Sequence, residues 1–186
     1  MILLTLVSCS TISTAEQTQI SNSAILLAEA YNSSGSYSQA LEVYDQALNS
    51  VSDYRLYYNK AATLAHLERY DEALELCRSS FEKYPEIISF KKLELSILQL
   101  CSTTEEIIIC SKEILELDPA DSEVLLTLLK TYSDSGLVDE AYSVAFNLFN
   151  RKVTDNRVLT VLKEYDEETW AEAYNLLFTT TEEESQ

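Results

Sequence analysis

From about residue 21 onward, apolar residues return three and four positions apart, which is the spacing of one face of an α-helix. Small and large residues alternate in a fixed order along that face. Leu27-Ala28-x-x-Tyr31 is followed by Ala40-x-x-x-Tyr44 and Ala47-Leu48. Thirty-three residues on, the order returns as Lys60-Ala61-x-x-Leu64, Ala73-x-x-x-Cys77 and Ser80-Phe81. Gly35, Pro85, Pro119 and Gly136 fall between the runs, where chain breaks are needed. The pattern predicts ten helices, over 21–34, 37–50, 54–67, 70–83, 87–100, 104–117, 121–134, 138–150, 155–165 and 167–178. Ser36-x-x-Gln39 and Ser102-x-x-Glu105 read as capping boxes opening second helices. Asp166, followed by Glu167 and Glu168, places negative charge where a helix N-terminus favours it.

The order of residues returns twice more. A degenerate unit carries Glu94-Leu95-x-x-Leu98, Ile107, Ile114-Leu115 and Pro119, with Ile107-Ile108-Ile109 in place of the alanine region, so altered packing is expected there. The fourth unit is clear: Leu128-Leu129-x-x-Tyr132, Gly136, Ala141-x-x-x-Ala145 and Leu148-Phe149. Trp170 and Ala173 hold matching places in an incomplete fifth. This resembles the tetratricopeptide-repeat (TPR) family, whose unit is a helix pair of about 34 residues. The resemblance implies an all-α fold, a right-handed superhelical solenoid of about five antiparallel helix pairs over residues 21–178. One pair cannot bury its apolar face alone, whereas stacked pairs bury a continuous core.

Leu6-Val7-Ser8-Cys9, at the end of an apolar opening run, resembles a bacterial lipoprotein signal. That resemblance implies a signal peptide over 1–8, a lipid on Cys9, and a polar tether over 9–20 rich in Ser, Thr and Gln. No basic residue opens the run, which departs from the usual signal and leaves open a start further upstream. Residues 179–186, with Glu182, Glu183 and Glu184, read as an acidic disordered tail.

Charge and composition narrow the chemistry. The net charge is −18, which disfavours nucleic acid as a partner, since binding it requires a basic face. Two glycines cannot build a phosphate-cradling loop. Cys9, Cys77, Cys101 and Cys110 form no CxxC pair, and His66 is the single histidine, so no metal site or cofactor is expected. Cys101 and Cys110 are close enough in sequence to meet across a turn. No nucleophile–base pair assembles around His66, and the reading is of a non-enzyme.

In TPR proteins the first helix of each pair lines the ligand groove. Carried onto this sequence, the resemblance implies a partner-binding groove at Arg55, Tyr58, Asn59, Ala62, Lys92, Ser96, Leu126 and Lys130. A carboxylate clamp is not expected: its positions hold Ile25, Glu29, Asn59, Ser89 and Leu93, and only Asn59 suits. Tyr54 and Tyr57 extend the aromatic cluster but read as packing residues. The expected function is a scaffold in the bacterial cell envelope that faces the periplasm. It would be held to the membrane through Cys9 and bind a protein or peptide ligand. The alternatives are an accessory lipoprotein that partners a periplasmic solute-binding protein and transporter, or a cytoplasmic regulatory module if Cys9 carries no lipid.

Overall fold

A computed structural model of the chain describes residues 12–153, 155–172 and 174–175. Among them are nine helices: α1 Thr14–Ser33, α2 Tyr37–Leu48, α3 Tyr54–His66, α4 Tyr70–Lys83, α5 Ser89–Cys101, α6 Thr104–Leu117, α7 Ser122–Asp134, α8 Val138–Asn150 and α9 Asn156–Tyr165. Residues 167–172 are also helical. The described residues contain no strand. Nothing describes residues 1–11, so Cys9 and the signal segment lie outside the described residues, as does the 179–186 tail.

The largest departure from the sequence reading is at the start. The stretch expected as a tether up to residue 20 is helical from Thr14. A capping box accounts for the nucleation: Ser13 N–H donates to Glu16 Oε2 at 2.8 Å, and Glu16 N–H donates back to Ser13 Oγ at 3.3 Å. Further along the same helix, Ser21, Ala24 and Ala28 are buried. Packing therefore holds the middle of a helix whose first turns are set by the cap.

The two expected capping boxes are corrected. Ser36 makes no side-chain cap; its hydroxyl pairs with Ser34 Oγ at 3.1 Å. The second box sits one residue later than expected, with Thr103 capping α6 and Glu106 closing the reciprocal bond. Backbone geometry does the work at the other turns. Gly35 and Gly136 adopt φ +74° and +67°, and Glu68 and Lys152 take the same left-handed conformation. Each lets the following N–H reach back five residues: Ser36 to Tyr31 O, Arg69 to Leu64 O, Leu137 to Tyr132 O and Val153 to Leu148 O. This six-to-one closure satisfies carbonyls that a helix end leaves open.

First helices are opened by a recurring aspartate. Asp53, Asp121 and Asp155 each accept N–H bonds at the start of α3, α7 and α9. They stand 68 and 34 residues apart, which is the repeat length.

The chain divides into two compact units, residues 1–93 and 94–186. The division falls inside α5, in the degenerate third repeat. In the first unit α1 packs on α2, α2 on α3, α3 on α4, and α1 also touches α3. Ala24, Ala28, Ala40, Tyr44, Ala47, Val51 and Leu56 form its core. In the second unit α6 packs on α7, α7 on α8, α8 on α9, and α7 touches α9. Its core joins Leu125, Leu128, Leu129, Tyr132, Ala141, Ala145, Leu148, Val158, Val161 and Leu162.

The same repeat positions are buried each time, but the volume moves between helices. The first-helix position holds Ala28, Ala61, Leu95, Leu129 and Leu162, and the second-helix position holds Tyr44, Cys77, Ser111 and Ala145; all nine are buried. In the first core Tyr44 accompanies a small Ala28; in the second, Leu129 accompanies a small Ala145. Close-packed interiors require such exchange, because total volume is fixed by the helix spacing.

Candidate binding faces

The contact of α1 with α3 sets two first helices side by side in the first unit, and α3 carries Arg55, Tyr58, Asn59 and Ala62 of the expected groove residues. Arg55 is placed there, but its guanidinium is already engaged. Nη2 lies 2.6 Å from Asp53 Oδ2, Nε bonds the same carboxylate, and Nη1 donates to Asn22 Oδ1 at 2.9 Å. These bonds hold the Asp53 carboxyl below its ordinary range and raise Arg55. Asn59 is turned along its own helix, Nδ2 donating to Arg55 O at 2.9 Å. Tyr58 is half-buried, its ring edge-on to Phe90 at 6.0 Å. Arg55, Tyr58 and Asn59 are thus each engaged within the protein, in packing or in hydrogen bonds within and between helices.

Ala62 is half-exposed on the same helix. Lys92 is half-exposed and belongs to the first unit. Ser96, Leu126 and Lys130 belong to the second. Ser96 is exposed, Leu126 packs partly against the second core, and Lys130 pairs with Asp134 at 2.6 Å.

The aromatic reading of Tyr54 and Tyr57 extends further than the sequence suggested. Both rings approach Tyr84, at 6.3 and 6.1 Å, and Tyr84 stacks on Phe90 at 6.5 Å. Lys83 Nζ sits 4.8 Å from the Tyr57 ring centre and 5.3 Å from that of Tyr84. It also donates to Tyr57 Oη at 3.2 Å and Ser52 Oγ at 2.6 Å. Hydrogen bonding to Tyr57 raises the Lys83 pKa. Tyr84 was absent from the sequence reading because it sits in a connection, where helical periodicity is silent.

Also in the first unit, residues of α2, α3 and α4 border an open cleft of about 580 Å³. Leu41, Leu64 and Leu76 line it together with two ion pairs, Lys60–Asp45 at 2.6 Å and Arg69–Glu72 at 2.5 Å. His66 is exposed and stacks on Tyr37 with ring centres 5.6 Å apart. Cys77, Cys101 and Cys110 are thiols, so the bridge considered between Cys101 and Cys110 does not form. Among the described residues no three His, Cys, Asp or Glu side chains converge as metal ligands. No described helix is long and apolar enough to cross a membrane.

The second unit presents an aromatic stack of its own. Tyr142 lies 6.1 Å from Phe146 and 5.8 Å from Tyr165. Its hydroxyl donates to Asp166 Oδ2 at 3.0 Å. Asp166 also accepts from Thr169 Oγ1 at 2.6 Å and from Thr169 N–H at 3.1 Å, so it caps the helix at 167–172. The Thr169 hydroxyl, the Thr169 N–H and then the Tyr142 hydroxyl hold its carboxyl below the ordinary range.

No protein-family profile matches the chain, and no curated protein is significantly similar in sequence. Solved structures do match. MamA from Desulfovibrio magneticus RS-1 superposes with a TM-score of 0.65 at 13% identity, over 90% of this chain and 98% of that one. A tetratricopeptide repeat protein from Parabacteroides merdae ATCC 43184 superposes with a TM-score of 0.68 at 16% identity, over 88% of this chain and 67% of that one. With helix pairs in phase, left-handed turns at repeat spacing and these structural neighbours, the chain has the all-helical fold of a TPR-like repeat protein.

Proposed function

We propose that the protein is a non-catalytic interaction scaffold that binds a partner polypeptide, and that Cys9 anchors it by lipid in a bacterial envelope. The observation that carries the first part is the direct contact of first helices, α1 with α3 and α7 with α9. It lines up their outward positions within each unit, making a ladder on which an extended segment or a helix can lie. Ala62 is the favoured contact point of the first unit, because Arg55 and Asn59 are engaged within the protein. The lipid anchor rests on the Leu6-Val7-Ser8-Cys9 run.

Affinity purification of the full chain should recover one dominant protein, lost in Ala62→Arg while the circular dichroism spectrum is unchanged. Equal recovery by Ala62→Arg would move the interface off this face. Metabolic labelling with a palmitate analogue should mark wild type and spare Cys9→Ala; an unlabelled wild type removes the anchor.

A further inference from the structure

The face built by α8 and α9 carries chemistry that the first-helix ladder does not use. Tyr142, Phe146 and Tyr165 make one continuous run of rings, with interplanar angles of 27° and 31° between neighbours. Phe146 and Tyr165 are 41% and 43% exposed, unlike the repeat's core positions. Ring faces carry negative quadrupole density and attract cations. Carboxylates border the rings. Asp166 accepts the Tyr142 hydroxyl at 3.0 Å, and desolvation followed by the negative charges of Asp139 and Glu164 raises the Tyr165 pKa. The cation nearest in sequence is committed elsewhere: Lys163 Nζ lies 5.2 Å over the Trp170 ring.

We infer that the Tyr142–Phe146–Tyr165 stack is a docking surface for an arginine-bearing segment of a partner protein. Charge complementarity selects the occupant. Partly exposed aromatic rings with a carboxylate rim suit a guanidinium, which stacks through its plane while its edge donates to carboxylates. A second copy of this chain is disfavoured, because each copy carries −18 and repels the other. The assignment deepens the scaffold reading, but it concerns residues of the second unit and not Ala62 of the first, so the pull-down and the experiment below fail separately.

The test titrates the full ¹⁵N-labelled chain with a capped peptide of alternating glycine and arginine. The control peptide replaces arginine by citrulline, which keeps the planar shape but removes the charge and turns one donor group into a carbonyl acceptor. The expected result is saturable amide shifts at residues 139–146 and 164–166. Binding should weaken about three- to fivefold with the citrulline peptide, with Phe146→Ser, and with the paired Asp139→Asn and Glu164→Gln change. The charge pair is the decisive variant if Phe146→Ser disturbs folding. Shifts scattered over the acidic surface, or centred on the α2–α4 cleft, would overturn the assignment. So would variants that bind as wild type.

Discussion

Arg55 Nη1 donates to the side-chain oxygen of Asn22 at 2.9 Å, and the two residues hold the same place in consecutive repeats, 33 positions apart. One repeat thus grips the next through equivalent positions. The bond is partly exposed and solvent-screened, so its worth is modest. A double-mutant cycle of Arg55→Met and Asn22→Ala should give a coupling of about 0.5–1 kcal/mol in urea unfolding. Additive single effects would mean that the bond contributes nothing to stability.

Glu68 sits at φ +58°, the place held by Gly35 and Gly136 in other repeats. A side chain there is strained against its own backbone, and glycine is not. Glu68→Gly should stabilise by about 0.5–1 kcal/mol, raising the melting temperature by a few degrees, whereas Gly136→Ala should lower it. Scanning calorimetry on both variants checks the sign.

Acid should loosen the first helices. The Arg55 guanidinium lowers the Asp53 pKa, and Arg157 does the same for Asp155. A carboxyl whose folded pKa lies below its unfolded value of ~3.9 contributes stability fully above that value and loses it as pH falls through the folded one. Unfolding free energy should therefore drop below about pH 4. Asp53→Asn keeps an N-cap but loses the pair, so it should be about 0.5–1 kcal/mol less stable at pH 7 and flatter in acid. An unchanged acid slope in Asp53→Asn would assign the loss to other carboxyls.

The exchange of volume between helices makes Ala28 intolerant. It is fully buried in the same core as Tyr44. Ala28→Leu should cost about 1–3 kcal/mol by overpacking, although leucine is the natural residue at the equivalent positions 95, 129 and 162. Ala28→Leu combined with Tyr44→Ala should recover part of that loss. Thermal melts of the three variants decide it.

Much of the architecture was legible because each repeat writes the same packing problem into its own local sequence. Ala61 and Leu64, or Leu129 and Tyr132, announce a helix face without reference to distant residues. The boundaries of α2 through α8 accordingly fall within two residues of expectation. The capping boxes were less legible, because Thr103-x-x-Glu106 and Ser102-x-x-Glu105 overlap and only backbone geometry chooses between them. The Asp53, Asp121 and Asp155 caps were in plain sight at repeat spacing, but a search for apolar periodicity passes over them.

The order of residues alone made the chain helical, gave it a repeat of 33 or 34 residues, and set where its turns fall. Those properties follow from short-range periodicity and from residue size. Which outward side chains remain for a partner was set by how the helices pack. Asp53 and Asn22 take up Arg55, Phe90 takes Tyr58, and Tyr142, Phe146 and Tyr165 come together while two of the rings stay open to solvent. A polar or aromatic side chain is committed or left open by neighbours that folding brings from the next helix or the next repeat, and no local pattern encodes that choice.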